Sequence, residues 1–454
     1  MRLRTRLAVA GVAAIAFSAC SESDSPFSPG NNTRVEVSSD PEGAAIFLNG
    51  TNTGKVTTDL LRDLAINRVH EILVRLDRDN VAYGYRAQVE VANDSLHRVL
   101  GPLLMRCTSE VCSIQNHRYH TLGNMRVATN PNGALFYYDG NGSGLLYPTG
   151  SSNAYAAMGM PLVSMVAGGS DTLALGIYDR DYLAGRPAPQ VTQAPDRYTM
   201  QQSFWIVPPT GVIVGLGPTV RGIEVEEQLI ATTATNDVAF VKLTFRNITN
   251  RPSYKAADPI VPSGGLTFTS VYVGFGLDAD IGVATDDAIT YDPALDMVYS
   301  YDMNLEDGAF GTGFTDRPAL VGLRLLAAPA GAPVKVLNAW PAGVDWSGGD
   351  PSERIGWGVM SGTRSVMPDL PGQQLGHAPT TPGDYRMSVS AGPLTLNPGA
   401  EASIVVAIVV ALPVQGTYMS GQLISPGDPT VADRQIARVA ADLLAKAGAL
   451  TVPQ

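Results

Sequence analysis

Eight aspartates crowd one stretch of the chain: Asp278, Asp280, Asp286, Asp287, Asp292, Asp296, Asp302 and Asp307. Carboxylates at this density have three uses. They cap turns by accepting bonds from nearby backbone N–H groups. They hold a hard cation such as Ca2+, which takes about six to eight oxygen ligands. They also face each other across a cleft as the acid and base of a glycoside hydrolase, which needs roughly 5 to 9 Å between the carboxyl groups. Asp278 and Asp280 alternate at a strand end, so their side chains share one side. With Asp286 and Asp287 in the turn that follows, they form the candidate calcium set. The spacing is not that of an EF-hand loop, for which Gly282 is misplaced. Acidic charge gathered this tightly repels itself, and a cation relieves that repulsion. The sequence leaves turn caps, calcium and catalysis all open.

A second candidate is aromatic. Trp340, Trp346 and Trp357 lie between Asn338 and Pro382, a stretch with weak strand signal that is expected to form one long loop, 338–382. Loops of that length are often functional, and exposed indoles there could stack on a sugar. Other groups carry less. His117 and His120 stand three apart near Cys112, but zinc wants about four ligands, so a polar loop is expected. Gly142-Ser143-Gly144 lacks the strand–elbow–helix setting of a nucleophilic serine. No phosphate-cradling glycine loop or dinucleotide fingerprint occurs.

The elements that must position these residues read as strands. Val238–Asn247 alternates apolar and polar residues, as does Leu266–Phe275, and Val321–Leu326 and Ser403–Ala411 add two apolar runs. One strand after another with few helix signals predicts an all-β sandwich over 113–425. From Asp428 to Ala449, the residues Ile436, Val439, Leu443 and Leu444 recur at helical spacing. An amphipathic helix is expected over 428–449, with Lys446 suited to its C-terminal end. Upstream, Arg34–Ser38, Ala45–Leu48, His70–Arg78 and Tyr85–Val91 are short strands, and Asn49-Gly50 is a hairpin dipeptide. They predict a small sandwich-like module over 34–102. The fold class is therefore mainly β: a small module, a larger sandwich body and a C-terminal helix.

Composition narrows the setting. The 454 residues carry a formal net charge of -11, with 16% charged residues, 47 Gly and 32 Pro. An acidic chain is a poor partner for nucleic acid, whose phosphates need clustered Lys and Arg. Arg2, Arg4 and Arg6 precede an apolar run, Leu7–Phe17, too short for a lone span of about 20 residues. This is the pattern of a secretory leader. Residues 20–33 are rich in Ser, Asn, Pro and Gly and predict a flexible tether. Loss of the leader removes three arginines and no acids, which takes the charge from -11 to -14.

Three resemblances follow. Phe17-Ser18-Ala19-Cys20 resembles the lipobox of bacterial lipoproteins. That implies a signal peptide over 1–19 and a diacylglycerol on Cys20, which anchors the exported chain to a membrane. Ser21 in place of Asp implies the outer membrane. With Cys20 so used, Cys107 and Cys112 remain as a pair in an oxidising compartment, and a disulfide between them is expected. Pro41-Glu42-Gly43-Ala44, Asn49-Gly50 and Thr53-Gly54 resemble the PEGA domain, which implies an extracytoplasmic β module for packing or spacing. Asp237–Lys242, Asn247, Tyr272-Val273-Gly274, Asp278–Gly282, Asp286-Asp287, Asp296–Asp302 and Gly392–Gly399 are similar to secreted and surface proteins of Bacteroidetes and Gemmatimonas-like bacteria. The last resemblance implies fold and setting without an activity. The expected function is that of a noncatalytic envelope lipoprotein with a binding or structural role. Its partners would be the membrane, through the lipid, and an envelope polysaccharide or surface protein. The alternative is a calcium-dependent glycan-binding or polysaccharide-acting protein.

Overall fold

The computed structural model describes residues 32–40, 42–78, 81–93, 96–104, 106–107, 118–120, 122–129, 133–136, 144–167, 171–175, 182–184, 190–206, 222–252, 262–304, 318–341, 352–363, 382–417 and 429–453. Cys20, Cys112, Trp346, His117 and Asp307 lie outside them, as does the side chain of Cys107.

The first module has eight strands: β1 (Arg34–Asp40), β2 (Ala45–Leu48), β3 (Thr51–Val56), β4 (Asp59–Arg62), β5 (Arg68–Arg78), β6 (Val81–Val91), β7 (His97–Leu104) and β8 (Arg106–Cys107). They make two sheets, ordered β4-β1-β7 and β3-β2-β5-β6-β8. Asn49 and Gly50 both have positive φ, 48° and 82°. That is the backbone a tight hairpin between right-twisted strands requires, and Asn-Gly supplies it at least cost. Alternate residues Val35, Val37, Ile46, Leu48, Ile72, Val74, Val89 and Val91 form the core between the sheets.

The body continues with β9 (Arg118–His120), β10 (Arg126–Thr129), β11 (Leu145–Leu146), β12 (Met158–Ala167), β13 (Asp171–Leu175), β14 (Tyr182–Ala184), β15 (Gln190–Ala194), β16 (Arg197–Ile206) and β17 (Ile223–Thr232). Then come β18 (Val238–Asn247), β19 (Phe268–Asp278), β20 (Asp287–Asp292), β21 (Met297–Asp302), β22 (Leu320–Ala327), β23 (Val334–Pro341), β24 (Tyr385–Leu396) and β25 (Glu401–Ala411). Three helices are described: α1 (Ser352–Ser361), α2 (Pro429–Val439) and α3 (Ala441–Gly448).

Two large sheets face each other. One runs β13-β12-β19-β24-β23, the other β14-β16-β17-β18-β25-β22-β21-β20, with β15 paired to β16. The main core fills the space between them with Val241, Phe245, Val273, Phe275, Val389 and Ile408 among others. Each fully buried side chain of this kind contributes about 1.5–3 kcal/mol. In β18 the residues Ala239, Val241, Leu243 and Phe245 point into that core, while Val238 and Phe240 point to the opposite face. There Ile436, Val439, Ala440, Leu443 and Ala447 of the C-terminal helices cover them. Both faces of β18 and β25 are therefore buried, which explains the unbroken apolar run Ile404–Ala411.

Two expectations need correction. The stretch 338–382 is not one loop: residues 338–341 complete β23, and 352–361 form α1. Helix α1 lies on the outer face of the five-stranded sheet, where Val359 and Met360 pack with Leu162, Tyr272, Val336 and Trp340. Its last turn is fastened from the sheet. Asn338 donates to the Val359 carbonyl at 3.0 Å and Ser390 to the Met360 carbonyl at 2.7 Å, which satisfies acceptors a helix end leaves open. The C-terminal segment is two helices rather than one, because Ala440, at φ -87° and ψ 6°, departs from helical geometry between them. The break lets Ile436 and Leu443 reach the same apolar face.

Candidate functional site

The acidic stretch lies where the chain crosses from one large sheet to the other. β19 belongs to the five-stranded sheet and ends at Asp278, and β20 opens in the nine-stranded sheet at Asp287. The intervening residues carry Asp280 and Asp286. Tyr385 begins β24 beside this crossing, and Gly383 donates its N–H to the Asp287 carbonyl at 2.9 Å. That bond holds the entry to β24, and with it Asp384, against the acidic segment.

Three carboxylates converge. One oxygen from each of Asp278, Asp280 and Asp384 lies within 4.8 Å of the others. Asp278 and Arg386 are partners across β19 and β24, and Arg386 Nε donates to Asp278 Oδ2 at 2.9 Å. Both side chains of that pair are about nine-tenths buried, at 12% and 10% exposure. The second oxygen of Asp278, Oδ1, is buried without a hydrogen-bond partner. Beside the pair is a cavity of about 10 Å³, lined mainly by Met158, Met160, Leu162 and Trp340. It is too small for anything beyond one water.

Asp278 and Asp280 are partly buried and Asp384 is exposed at the rim, and desolvation acts on all three. It raises Asp278, against the opposing pull of Arg386. It also raises Asp280, with the charges of Asp278 and Asp384 adding to the effect, to about 7. Asp384 is raised by desolvation, again opposed by Arg386. One arginine thus answers three carboxylates, and the remaining negative charge is relieved by a proton or by a cation.

The other aspartates divide by geometry. Asp287 is 1% exposed. Its Oδ2 accepts the Ile281 N–H at 2.9 Å, while Oδ1 is buried and has no hydrogen-bond partner. Desolvation raises it well above the ordinary carboxylate range, with Asp302, Asp280 and Asp286 adding to the shift. Asp302 is its partner across β20 and β21. Asp286 accepts from Asn304 Nδ2 at 3.2 Å and is not one of the three converging carboxylates. Asp292 caps a turn by accepting the Ala294 and Leu295 N–H groups. Asp302 does the same for Asn304 N–H at 2.8 Å. Asp296 pairs with Lys335. Turn capping therefore accounts for part of the stretch.

Of the four aspartates chosen from sequence, the structure gathers Asp278 and Asp280. It adds Asp384, which lies more than a hundred residues on and was not foreseen. The alternation Asp384–Arg386 at the start of a strand was the available signal.

The tryptophans do not form an exposed platform. Trp340 is 1% exposed under α1, because β23 is a strand there and not a loop. Trp357 is half-buried: its ring meets Tyr272 edge-on at 6.3 Å, and its indole donates to the Ser270 carbonyl at 3.4 Å. Both indoles are spent on packing the helix to the sheet.

No family model matches the sequence, and no curated protein matches it. Among solved structures, the galactose 1-epimerase of Lactobacillus acidophilus NCFM is 8% identical, over 76% of this chain and 99% of its own, with a TM-score of 0.29. The amine oxidase of Aspergillus nidulans is 9% identical, over 80% of this chain and 64% of its own, with a TM-score of 0.31. Likenesses this distant say nothing of activity here.

Proposed function

We propose that the chain is a lipid-anchored envelope protein that acts by binding, and that its body carries a calcium ion among Asp278, Asp280 and Asp384. The observation behind the ion is the convergence of three carboxylates within 4.8 Å, together with buried carboxylate oxygens on Asp278 and Asp287 that no donor reaches. Proteins seldom leave such oxygens without a partner. Oxygen-only donors suit a hard cation, and backbone carbonyls and water would complete the shell. Arg386 holds one oxygen of Asp278 and leaves the other for the ion.

The anchor rests on Phe17-Ser18-Ala19-Cys20 and on the polar stretch that separates Cys20 from the first strand. Acylation supplies membrane affinity of about 0.8 kcal/mol per buried CH2, and more than one chain makes it stable. Mass spectrometry of the protein from its native cells should find Cys20 at the N-terminus and diacylated. Cys20→Ala should move the protein from the membrane fraction to the soluble one. An intact leader in the mature protein would refute the anchor.

For the ion, thermal unfolding of the chain from Ser21 onward should shift upward with calcium and return with chelator. An unchanged midpoint would remove the ion. A glycan array against the same chain tests the carbohydrate alternative, which has lost Trp340 and Trp357 as exposed contacts.

A further inference from the structure

His70 is fully buried at one end of the first module's core. On β5 it stands on the inward side with Ile72 and Val74, opposite Val89 of β6. A neutral imidazole donates from one ring nitrogen and accepts at the other. Among the described residues the ring has two hydrogen-bond partners. Nδ1 meets Asn49 Nδ2 at 3.2 Å, and Nε2 meets the Ala65 carbonyl at 2.8 Å.

The backbone decides which nitrogen carries the proton. The Glu71 N–H donates to Asn49 Oδ1 at 2.8 Å. That donor fixes the Asn49 amide, so its NH2 group faces His70 and donates to Nδ1. The proton of the neutral ring is then on Nε2, where the Ala65 carbonyl accepts it. The chain of bonds runs from a backbone N–H, through Asn49 and His70, to a backbone carbonyl. Neither end can exchange its role, and the chain has no place for a further proton.

The same network fastens a hairpin turn. Asn49 also donates its own N–H to the Glu71 carbonyl at 2.8 Å, so three bonds hold the β2–β3 turn to β5. Leu48 and Ile72 beside them are fully buried and are partners across β2 and β5. The turn thus closes this end of the core.

No charged side chain intrudes on the ring. The elements around it carry Arg34 and Glu36 on β1, Arg62 on β4, Asp63 before β5, Arg68 and Glu71 on β5, and Glu90 on β6. Glu71 and Glu90 are one residue out of step with the inward positions and lie on the outer side, where Glu71 pairs with Arg86. Arg34, Glu36, Arg62 and Arg68 are exposed, and Asp63 is half-buried. None of them bonds the ring, so no carboxylate stands ready to accept a second ring proton.

We propose that His70 is a proton-operated latch: as the neutral ring it holds the β2–β3 turn to β5, and on taking up a proton it lets the turn go. The protonated ring donates from both nitrogens, so Nδ1–H would point at the Asn49 NH2 group. Rotating the amide gives no relief, because it brings the same NH2 group onto the Glu71 N–H. The turn leaves, and Leu48 and Ile72 meet water. The latch is independent of the anchor and of the ion.

The chain from Ser21 onward, labelled with nitrogen-15 histidine, gives the first readout. At about pH 7.5 the His70 ring, identified as the signal missing in His70→Gln, should be the neutral tautomer with its proton on Nε2. A proton on Nδ1 would overturn the proposal. Hydrogen exchange gives the second. Protection at Asn49 and Glu71, referred to the unstructured rate at the same pH, should fall at least about tenfold between about pH 7.5 and about pH 5. His70→Gln, which donates and accepts but does not titrate, should remove the fall. Asn49→Asp should invert it, since a carboxylate accepts from both the Glu71 N–H and a protonated ring, and it decides alone should His70→Gln fail to fold. Equal wild-type protection at the two pH values would overturn the latch, as would the wild-type fall persisting in either variant.

Discussion

Asp280→Asn tests the acidic site most directly, because the ion and the proton make opposite demands on it. In the folded chain the Asp280 carboxyl is raised from 3.8 to about 7. The folded state therefore keeps a proton that the unfolded state has already lost. The stability held through that proton is fully present below about pH 4, falls as pH rises, and is gone above about pH 7. At 1.36 kcal/mol per unit, ionised Asp280 costs the ion-free fold on the order of 4 kcal/mol at pH 8. At pH 4 the cost is under about 1 kcal/mol. Asparagine has nearly the same shape and cannot ionise, so the variant escapes the cost. For a body of roughly 300 residues the unfolding entropy is about 0.6 kcal/mol/K, and the gain corresponds to about 7 °C. In chelator at pH 8, Asp280→Asn should therefore melt higher than the wild-type chain by that amount, with the gap closing at pH 4. Calcium should close more than half of that gap. An ion at a hundred times its Kd stabilises by about 2.7 kcal/mol, and the variant, short of one ligand, should gain little. Scanning calorimetry at the two pH values, with and without calcium, reads all four states. A variant that melts below wild type in chelator at pH 8 would refute the reasoning, since ionised Asp280 would then be making favourable contacts. Equal calcium shifts in both chains would refute the ligand assignment.

Other outcomes follow from the frame that holds the site. Arg324 donates to the carbonyls of Leu295, Ala447 and Leu450. Arg324→Ala should cost about 2 kcal/mol and speed proteolysis within 441–450, as followed by mass spectrometry. Asn247 is buried; it donates to the Leu266 and Leu396 carbonyls and accepts from Thr249 N–H and hydroxyl. Asn247→Ala removes all four bonds, although the Thr249 hydroxyl and the Leu266 carbonyl still reach each other, and should lose about 2–3 kcal/mol in a denaturant titration. At Gly274 a Cβ would fall 2.4 Å from the Val389 carbonyl oxygen, between the paired strands β19 and β24. Gly274→Ala should lower the melting temperature by several degrees through overpacking, at about 1–3 kcal/mol, whereas Gly331→Ala, with open space around it, should cost only its positive-φ strain.

The strands were legible where one face is polar or the pattern alternates. Val238–Asn247 matches β18 residue for residue. Leu266–Phe275 locates β19 but starts two residues early and stops three short of Asp278, because Gly274 and Gly276 break the apolar pattern. The hairpin at Asn49-Gly50 was legible because its backbone demands positive φ. Helix α1 was not, since Gly356 and Gly358 lower its intrinsic propensity. It is a tertiary helix, held by Val359 and Met360 on the sheet and by Asn338 and Ser390 at its end. Half of the acidic site was legible as local density. Asp384 and Arg386 were not, because only the pairing of β19 with β24 brings them to Asp278.

That pairing also decides what kind of effect an ion should have. Asp278 closes β19, Asp384 precedes β24, and Asp280 lies on the crossing that leads into β20. Gly383 and Ile281 tie the same crossing to Asp287 through a backbone and a side-chain acceptor. Asp287 in turn faces Asp302 across β20 and β21. An ion on the trio would therefore join the end of β19 and the entry of β24, neighbours in the five-stranded sheet, to the crossing that leads into β20 of the other large sheet. Its loss would not loosen a peripheral loop. It would leave like charges facing each other at the place where the sheets are joined, and the cost would fall on the cooperative unfolding of the body. Hydrogen exchange can separate these outcomes. Chelation should speed exchange across β19, β20, β21 and β24 together, and an effect confined to residues 279–286 would mean that the crossing, not the sandwich, depends on the ion.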